Sequence, residues 1–408
     1  MNKTFKAAVL KETKTPPDRR VVLAPEQAKE LTEKFPNVEL FIQSSDIRAF
    51  KDEEYTALGL NVVKDVSHCD VLLGVKEVHI PELIPGKTYF FFSHTAKKQE
   101  YNLPLLQALL KNKIKMIDHE YLTDKNGMRL VAFGRWAGLV GAYNGLIAFG
   151  IKNNHYRLKR ANECHDIQEM FSELKKIKLP PIKILITGGG RVAHGAEEVM
   201  QEADIEKISP EDFLNDNKVY DYPVYAQLDP QYYVKRKDGE AFDLHHFFKN
   251  PEMYESTFKP YTKAADVYVA CHFWDEKSPV FFTKEDMKED DFRMFVVADV
   301  SCDIDGPVPS TIRPSEIADP FYGYDTVNDK ECGAFDKDKN AVTVMAVDNL
   351  PGEVPRNASV DFGSALLYKV FPSLFGEDTE GIIERATITE NGKLGKHFQY
   401  LKDFAEGK

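Results

Sequence analysis

The chain has 408 residues, 43% of them hydrophobic and 29% charged, with a formal net charge of -12. These are the proportions of a soluble globular protein too long for one ordinary core, so two domains are expected. The acidic balance argues against nucleic acid or an anionic membrane surface as the main partner, and no apolar run approaches the roughly 20 residues of a membrane helix.

In chain order, MNKTFKAAVLKE enters a strand-like pattern over Phe5 to Leu10 without the apolar run of a signal peptide. Pro25 to Glu33 reads as a helix opened by proline. Val38 to Gln43, Val71 to Val75, Tyr89 to Ser93 and Ile114 to Ile117 are apolar runs of strand length, with a helical pattern over Tyr101 to Lys111. Such alternation predicts a mostly parallel sheet. Ala137 to Arg160 reads as one long helix whose first half, AGLVGAYNGLIAFG, is small and apolar, as expected of a helix packed closely between domains. Pro180 and Pro181 close a polar linker, and composition alone puts a domain change there. Ile182 to Thr187, Val267 to Cys271, Met294 to Val300 and Met345 to Val347 are further strands. Tyr222 to Tyr261 is aromatic, charged and weakly periodic, and reads as an insertion. Ser359 to Phe371 and the tail from Ile382 return to helical and strand patterns. Cys69, Cys164, Cys271, Cys302 and Cys332 are scattered and in no CxxC spacing, which suits reduced thiols in a cytoplasmic protein. Cys271 with His272, and Cys302 with Asp303, lack a partner pair at metal-ligand spacing, so no metal is expected.

ILITGGGRVAHGAEEVM is a strand, a glycine-rich turn and a helix. Gly188 and Gly190 permit a tight turn and close approach to a pyrophosphate, Gly195 permits packing of the helix on the sheet, and the helix N-terminus favours an anion. The fit to GxGxxG is loose, because Ala193 holds the sixth position, and a turn without a ligand is the alternative. An acidic residue that would bind NAD ribose hydroxyls is expected about 20 residues on. The strand end there aligns with Ser209. A missing carboxylate removes repulsion of a 2′-phosphate, and Arg191 could pair with one, so NADP(H) is expected in preference to NAD(H).

Lys76 ends the run VLLGVK and His94 ends FFFSH. A lysine becomes a useful base when burial and neighbouring positive charge lower its pKa. A histidine titrates near neutrality unaided. Equally, Lys76 could be a solvated strand end and His94 a hydrogen-bonded core residue. Arg20, Arg129, Lys14 and Lys97 could clamp a di- or tricarboxylate substrate, though each taken singly is more often a surface residue.

In order, ETK…RRVVLAP, GVKEV, KTYFFFSHTAKKQE, RLVAFGRWAGLVGA, ITGGGRVAHGA, DVSCDIDG, ADPFYGYD and VDNLPGEVPRNAS resemble the lysine-forming saccharopine dehydrogenases. The likeness extends to the lysine–2-oxoglutarate reductase half of the bifunctional lysine-degrading enzyme and, more broadly, to alanine dehydrogenase and the transhydrogenase NAD domain. The resemblance implies an α/β fold of two Rossmann-like domains with parallel sheets flanking a central cleft, joined by long helices. Residues 1–140 with 350–408 would form the substrate domain. Residues 141–349, with an insertion around 222–261, would form the dinucleotide domain. It implies Lys76 as base and His94 as acid, with Glu120 modulating both. Arg20, Gln99, Phe133, Ser301, Cys302 and Asp303 match saccharopine-contacting positions. Gly190, Arg191, Val300, Val347, Asp348, Asn349 and Leu350 match cofactor-contacting ones, with Gly188 and Val192 on the same turn. An arginine that contacts cofactor in fungal members is Met128 here, while Arg129 keeps the next arginine. The implied reaction is reductive condensation of L-lysine with 2-oxoglutarate to saccharopine, or its reverse. An alanine-dehydrogenase-like enzyme and a non-catalytic nicotinamide-binding regulator are the alternatives. Partners are a small amino acid and a 2-oxo acid, and a homo-oligomer is compatible with this reading.

Overall fold

The computed structural model describes residues 4–408. The chain forms two compact units, one of Met1–Phe133 with Pro355–Lys408 and one of Gly134–Val354. Pro180 and Pro181 therefore lie inside the second unit, at the entry to one of its strands, and the composition change there marks no domain boundary.

The first unit is built on β1 (Phe5–Val9), β2 (Val38–Gln43), β3 (Asn61–Val63), β4 (Val71–Lys76), β5 (Thr88–Phe92) and β6 (Lys115–Asp118). The sheet order is β18-β17-β6-β5-β4-β1-β2-β3, where β17 (Thr387–Glu390) and β18 (Lys393–Leu394) come from the tail. β1 to β6 pair in parallel and the tail strands add antiparallel. The central strands carry continuous apolar runs because both faces are covered. Val71 to Val75 and Tyr89 to Phe91 are all buried. One face packs against the helix Pro25–Lys34 and the returning segment Phe362 to Phe375, and the other against Leu105, Leu106 and Leu109 of the helix Leu103–Lys111. All six parallel strands deliver their carboxyl ends to one edge.

The second unit has its own eight-stranded sheet. Its strands are β7 (Lys183–Thr187), β8 (Glu206–Lys207), β9 (Val224–Leu228), β12 (Val267–Ala270), β13 (Val296–Asp299), β14 (Phe321–Asp325), β15 (Lys330–Cys332) and β16 (Ala341–Met345). The order is β15-β14-β16-β13-β12-β7-β9-β8. β10 (Val234–Arg236) and β11 (Tyr254–Ser256) form a separate antiparallel ribbon. The expected insertion therefore begins with a core strand: β9 pairs with β7 along its whole length, and only the ribbon and its flanks stand outside the sheet. The expected strand Met345 to Val347 ends at Met345, because Val347 makes only an isolated bridge to Ser315.

The long helix runs Gly134–Lys152 and belongs wholly to the second unit. Its small residues face the helix Arg191–Glu202 and the sheet of that unit. A Cβ on Gly138 would lie 1.7 Å from the Val192 carbonyl oxygen, and one on Gly195 would lie 1.9 Å from that of Arg135. Gly195 thus serves helix-on-helix packing, where the sequence suggested helix-on-sheet packing. Among the described residues no helix is long and apolar enough to cross a membrane.

Overpacking a contact this close has nowhere to relax except backbone. Gly195→Val is expected to destabilise the second unit by about 2 kcal/mol or more, lowering its melting temperature by roughly 4–8 °C. Differential scanning calorimetry on the full chain checks this, and an unchanged melting temperature would contradict the packing described.

Candidate active site and dinucleotide turn

β4 and β5 are neighbours, and Lys76 pairs in register with Phe92. His94 lies two residues further along, so both side chains are carried by the carboxyl edge of one sheet. The register slips between Leu73 and Lys76, one extra residue on β4, which is a bulge. Its freed backbone N–H groups are satisfied by the buried Glu12, whose carboxyl accepts from Val75 N at 2.7 Å and Lys76 N at 2.8 Å. His119, also buried, has Nε2 2.9 Å from the Gly74 carbonyl oxygen. A carbonyl can only accept, so Nε2 carries the proton. Burial pushes the His119 pKa down to about 4, which keeps the ring neutral.

The half-buried Lys76 side chain makes no ion pair or hydrogen bond among the described residues. Burial lowers its pKa, and the positive charges of Arg20 and Lys14 lower it further, against the negative charges of Asp18 and Glu77. Lys14 is itself paired with Glu77 at 2.7 Å. Arg20 is 2% exposed and gripped by Asp18 through Nε–Oδ1 at 3.0 Å and Nη2–Oδ2 at 2.6 Å. Its guanidinium lies 4.3 Å from the centroid of the Phe133 ring, which stacks in turn on Phe362. Burial raises the Glu12 pKa to about 8. Asp18 is also pushed up by burial, but the Arg20 guanidinium outweighs this and holds it well below the usual carboxylate range.

His94 sits at φ 54, a left-handed conformation uncommon for a non-glycine residue. The turn is over-determined around it. Asp118, fully buried, accepts from Ser93 N at 2.9 Å and Ser93 Oγ at 2.5 Å, and its other oxygen accepts from Glu120 N at 2.8 Å. One carboxylate thereby fixes the turns after both β5 and β6. The His94 ring stacks beside Phe92 and brings Nδ1 to 3.7 Å from Glu120 Oε2, an ion-pair rather than a hydrogen-bond distance. Glu120 Oε1 also receives Arg129 Nη2 at 2.6 Å and Lys97 Nζ at 3.4 Å. Burial raises the Glu120 pKa, but His94, Lys97 and Arg129 together pull it down to about 2. Gln99 is exposed on the following turn, with its carbonyl 2.9 Å from Tyr101 Oη.

Sequence spacing picked out the lysine, histidine and basic residues of this edge. It missed Glu12, Asp18, Asp118 and His119, which shape the edge. Glu12, Asp118 and His119 stand just beyond apolar strand runs, whereas Asp18 lies in the polar stretch KETKTPPDRR and carries no such signal.

In the second unit, Gly188 at φ 97 tucks under the Cys271 carbonyl oxygen, where a Cβ would approach to 2.5 Å. Gly190 has open space where a Cβ would stand, directly before the helix Arg191–Glu202. A strand, a turn without side chains and a 12-residue helix present backbone N–H groups to an anion, which fits a dinucleotide pyrophosphate. Arg191 is exposed and Val192 half-buried at the start of that helix. Val300 directly follows β13, with N bonded to Ala270 O. Val347 and Leu350 are buried, so that segment offers a ligand backbone plus the side chains of Asp348 and Asn349. Ser301, Cys302 and Asp303 wind around buried Asp299, which accepts from Ser301 N and Oγ, Cys302 N and Thr311 Oγ1. Burial and Asp299 raise the Asp303 pKa to about 6.

Ser209 is not at the turn. It caps the short helix Pro210–Phe213, accepting from Asp212 N, and follows the two-residue edge strand β8. β9 lies between β8 and β7, so the residue that ends the strand next to the turn is Leu228, followed by Asp229.

Two α/β units with mostly parallel sheets are the fold of a solved alanine dehydrogenase. A solved L-alanine dehydrogenase matches with a TM-score of 0.65 at 18% identity, covering 98% of this chain and 100% of that one. Residues 8–140 match the family described as alanine dehydrogenase/PNT, N-terminal domain. The resemblance read in the motifs holds. The chain is 28% identical over 96% of its length to the mouse mitochondrial alpha-aminoadipic semialdehyde synthase. It is 25% identical over 80% of its length, and 80% of the relative's, to a Neurospora crassa saccharopine dehydrogenase named as NAD(+)-dependent and L-lysine-forming. The chain spans about half of the synthase, 47% of its length.

The Glu120 cluster has a pH signature. A carboxyl held near 2 in the folded state and near 4.5 when unfolded contributes stability that is present above about 4.5. That contribution is lost as pH falls through 2. Glu120→Gln should flatten this acid limb in thermal unfolding between pH 5 and pH 3, and an identical slope in both proteins would contradict the assignment.

Proposed function

We propose that the chain is a nicotinamide-dinucleotide-dependent oxidoreductase that condenses L-lysine with 2-oxoglutarate reductively to saccharopine, or cleaves saccharopine in reverse. The observation that carries this reading is the edge formed by adjacent β4 and β5, which carries a lysine of lowered pKa and a histidine that faces a carboxylate held ionised. Similarity over 80% of the chain to a protein named as an L-lysine-forming saccharopine dehydrogenase supports it.

Each residue has a distinct task. Lys76 takes a proton from the ammonium of the incoming amino acid, freeing the amine to attack the keto carbon. His94 gives a proton to the carbinolamine oxygen, which leaves as water as the imine forms. Glu120 orients His94 and offsets the charge His94 acquires. Arg20, Lys14, Arg129 and Gln99 hold and orient carboxylates, with the Phe133 ring packed against the Arg20 guanidinium, and orientation supplies part of the barrier lowering. In the second unit, Ser301, Cys302 and Asp303 are the residues assigned to substrate. The glycine turn with Gly188, Gly190, Arg191 and Val192, together with Val300 and Val347 to Leu350, holds the dinucleotide. When bound, the dinucleotide supplies the hydride that reduces the imine carbon. The argument for NADP(H) from Ser209 lapses, because Ser209 is one strand away from the turn. All five cysteines are free, which supports the cytoplasm as the compartment.

Oxidation of NADH or NADPH should require lysine and 2-oxoglutarate together, and robust turnover with pyruvate and ammonia alone would sink the proposal in favour of an alanine-dehydrogenase-like activity. Lys76→Met should lower kcat by at least roughly 100-fold, the usual scale of a lost general base, while dinucleotide binding persists. A variant that keeps full kcat would remove Lys76 from the mechanism.

A further inference from the structure

We propose that Asp229 makes the second unit selective for NAD(H) against NADP(H), an inference that rests on the dinucleotide role proposed for this unit. β7, which leads into the glycine turn, has β9 as its parallel neighbour, and Thr187 pairs with Leu228. Asp229 is therefore the first residue beyond the carboxyl end of the adjacent strand, level with Gly188. Two contacts fix it against the turn. Gln227 Nε2 donates to the Gly188 carbonyl at 2.8 Å and to Asp229 Oδ1 at 3.0 Å. Gly189 faces the same oxygen so closely that a Cβ there would lie 2.0 Å from it. A side chain at 189 would displace this carboxylate from its place beside the turn.

A carboxylate at the end of the strand beside a dinucleotide turn accepts hydrogen bonds from adenosine ribose hydroxyls. Against a 2′-phosphate the same group is repulsive, since two anions would share hydrogen-bonding range with the 2′ oxygen gone as a donor. Arg191 stands in the turn, but a lysine on the edge strand β8 and one on the separate β10–β11 ribbon are already engaged. Lys207 pairs with Glu197 at 2.5 Å and Lys235 with Glu255 at 3.0 Å. The charge at the ribose position is thus set by Asp229.

The test is direct binding without substrates. NADH and NADPH are titrated onto the full chain, followed by nicotinamide fluorescence or calorimetry. NADH should bind at least roughly tenfold more tightly, as expected for a lost charge-assisted hydrogen bond plus repulsion. Asp229→Asn, nearly isosteric and checked for folding by its melting curve, should bring the two affinities within about threefold. Equal or tighter NADPH binding by the wild-type chain overturns the proposal whatever the variant does. NADH-selective binding with no lysine-dependent turnover overturns the proposed reaction and leaves this inference standing. Binding of neither dinucleotide overturns both.

Discussion

A parallel sheet sends every carboxyl-terminal loop to one edge, and the backbone N–H groups of those loops leave the strand ladder inside the protein rather than in water. Unpaired, each costs about 1–3 kcal/mol. The chain meets this constraint with buried carboxyl groups. Glu12 pairs the bulge at Val75 and Lys76, Asp118 pairs Ser93 and Glu120, and Asp299 pairs Ser301 and Cys302. The side chains proposed to react stand on turns that these groups hold in place. His94 and Cys302 both keep φ near 54 because the hydrogen bonds on either side leave no other path for the backbone.

The same carboxyl groups divide into two electrical kinds. Glu12 is paired mainly by neutral backbone donors in a buried site, and burial wins, lifting its pKa to about 8. Glu120 meets His94, Lys97 and Arg129, and Coulomb attraction wins, taking it to about 2. Lys76 is nearer the first kind of environment and to Arg20 and Lys14, so it gives up a proton more readily than a surface lysine. His94 is nearer the second kind and has an anion beside it. The proposed acid and the proposed base therefore stand in different electrical surroundings.

Much of this was legible in the sequence because buried parallel strands are uninterrupted apolar runs. β2 coincides with Val38 to Gln43, and β4 and β5 lie within a residue of their apolar runs. What was not legible depends on strand order, which periodicity does not carry. β9 follows β8 in the chain but precedes it in the sheet, so counting residues from the glycine turn led to Ser209 on the edge side and passed over Asp229. The aromatic, weakly periodic look of residues 222–261 hid a core strand for a related reason. β9 is only five residues long and is followed by a ribbon outside the sheet. The supporting carboxyls were hidden too, because Glu12 and Asp118 look like ordinary polar residues after a strand until the bulge and the turns are seen.

The glycines connect these levels. In the helix Gly134–Lys152 and in the turn helix, Gly138 and Gly195 let two backbones approach to distances no side chain would allow. That packing fixes the N-terminus of the turn helix against its own unit, so the N–H groups after Gly190 point to a defined place and do not sample many. Gly189 is small for a different reason, because the space beside it belongs to Asp229. A glycine-rich motif read as mere flexibility therefore holds three separate constraints: close helix packing at Gly195, a left-handed turn at Gly188, and room for a neighbouring carboxylate at Gly189. The third carries chemical information, since it reports the charge that stands next to the turn.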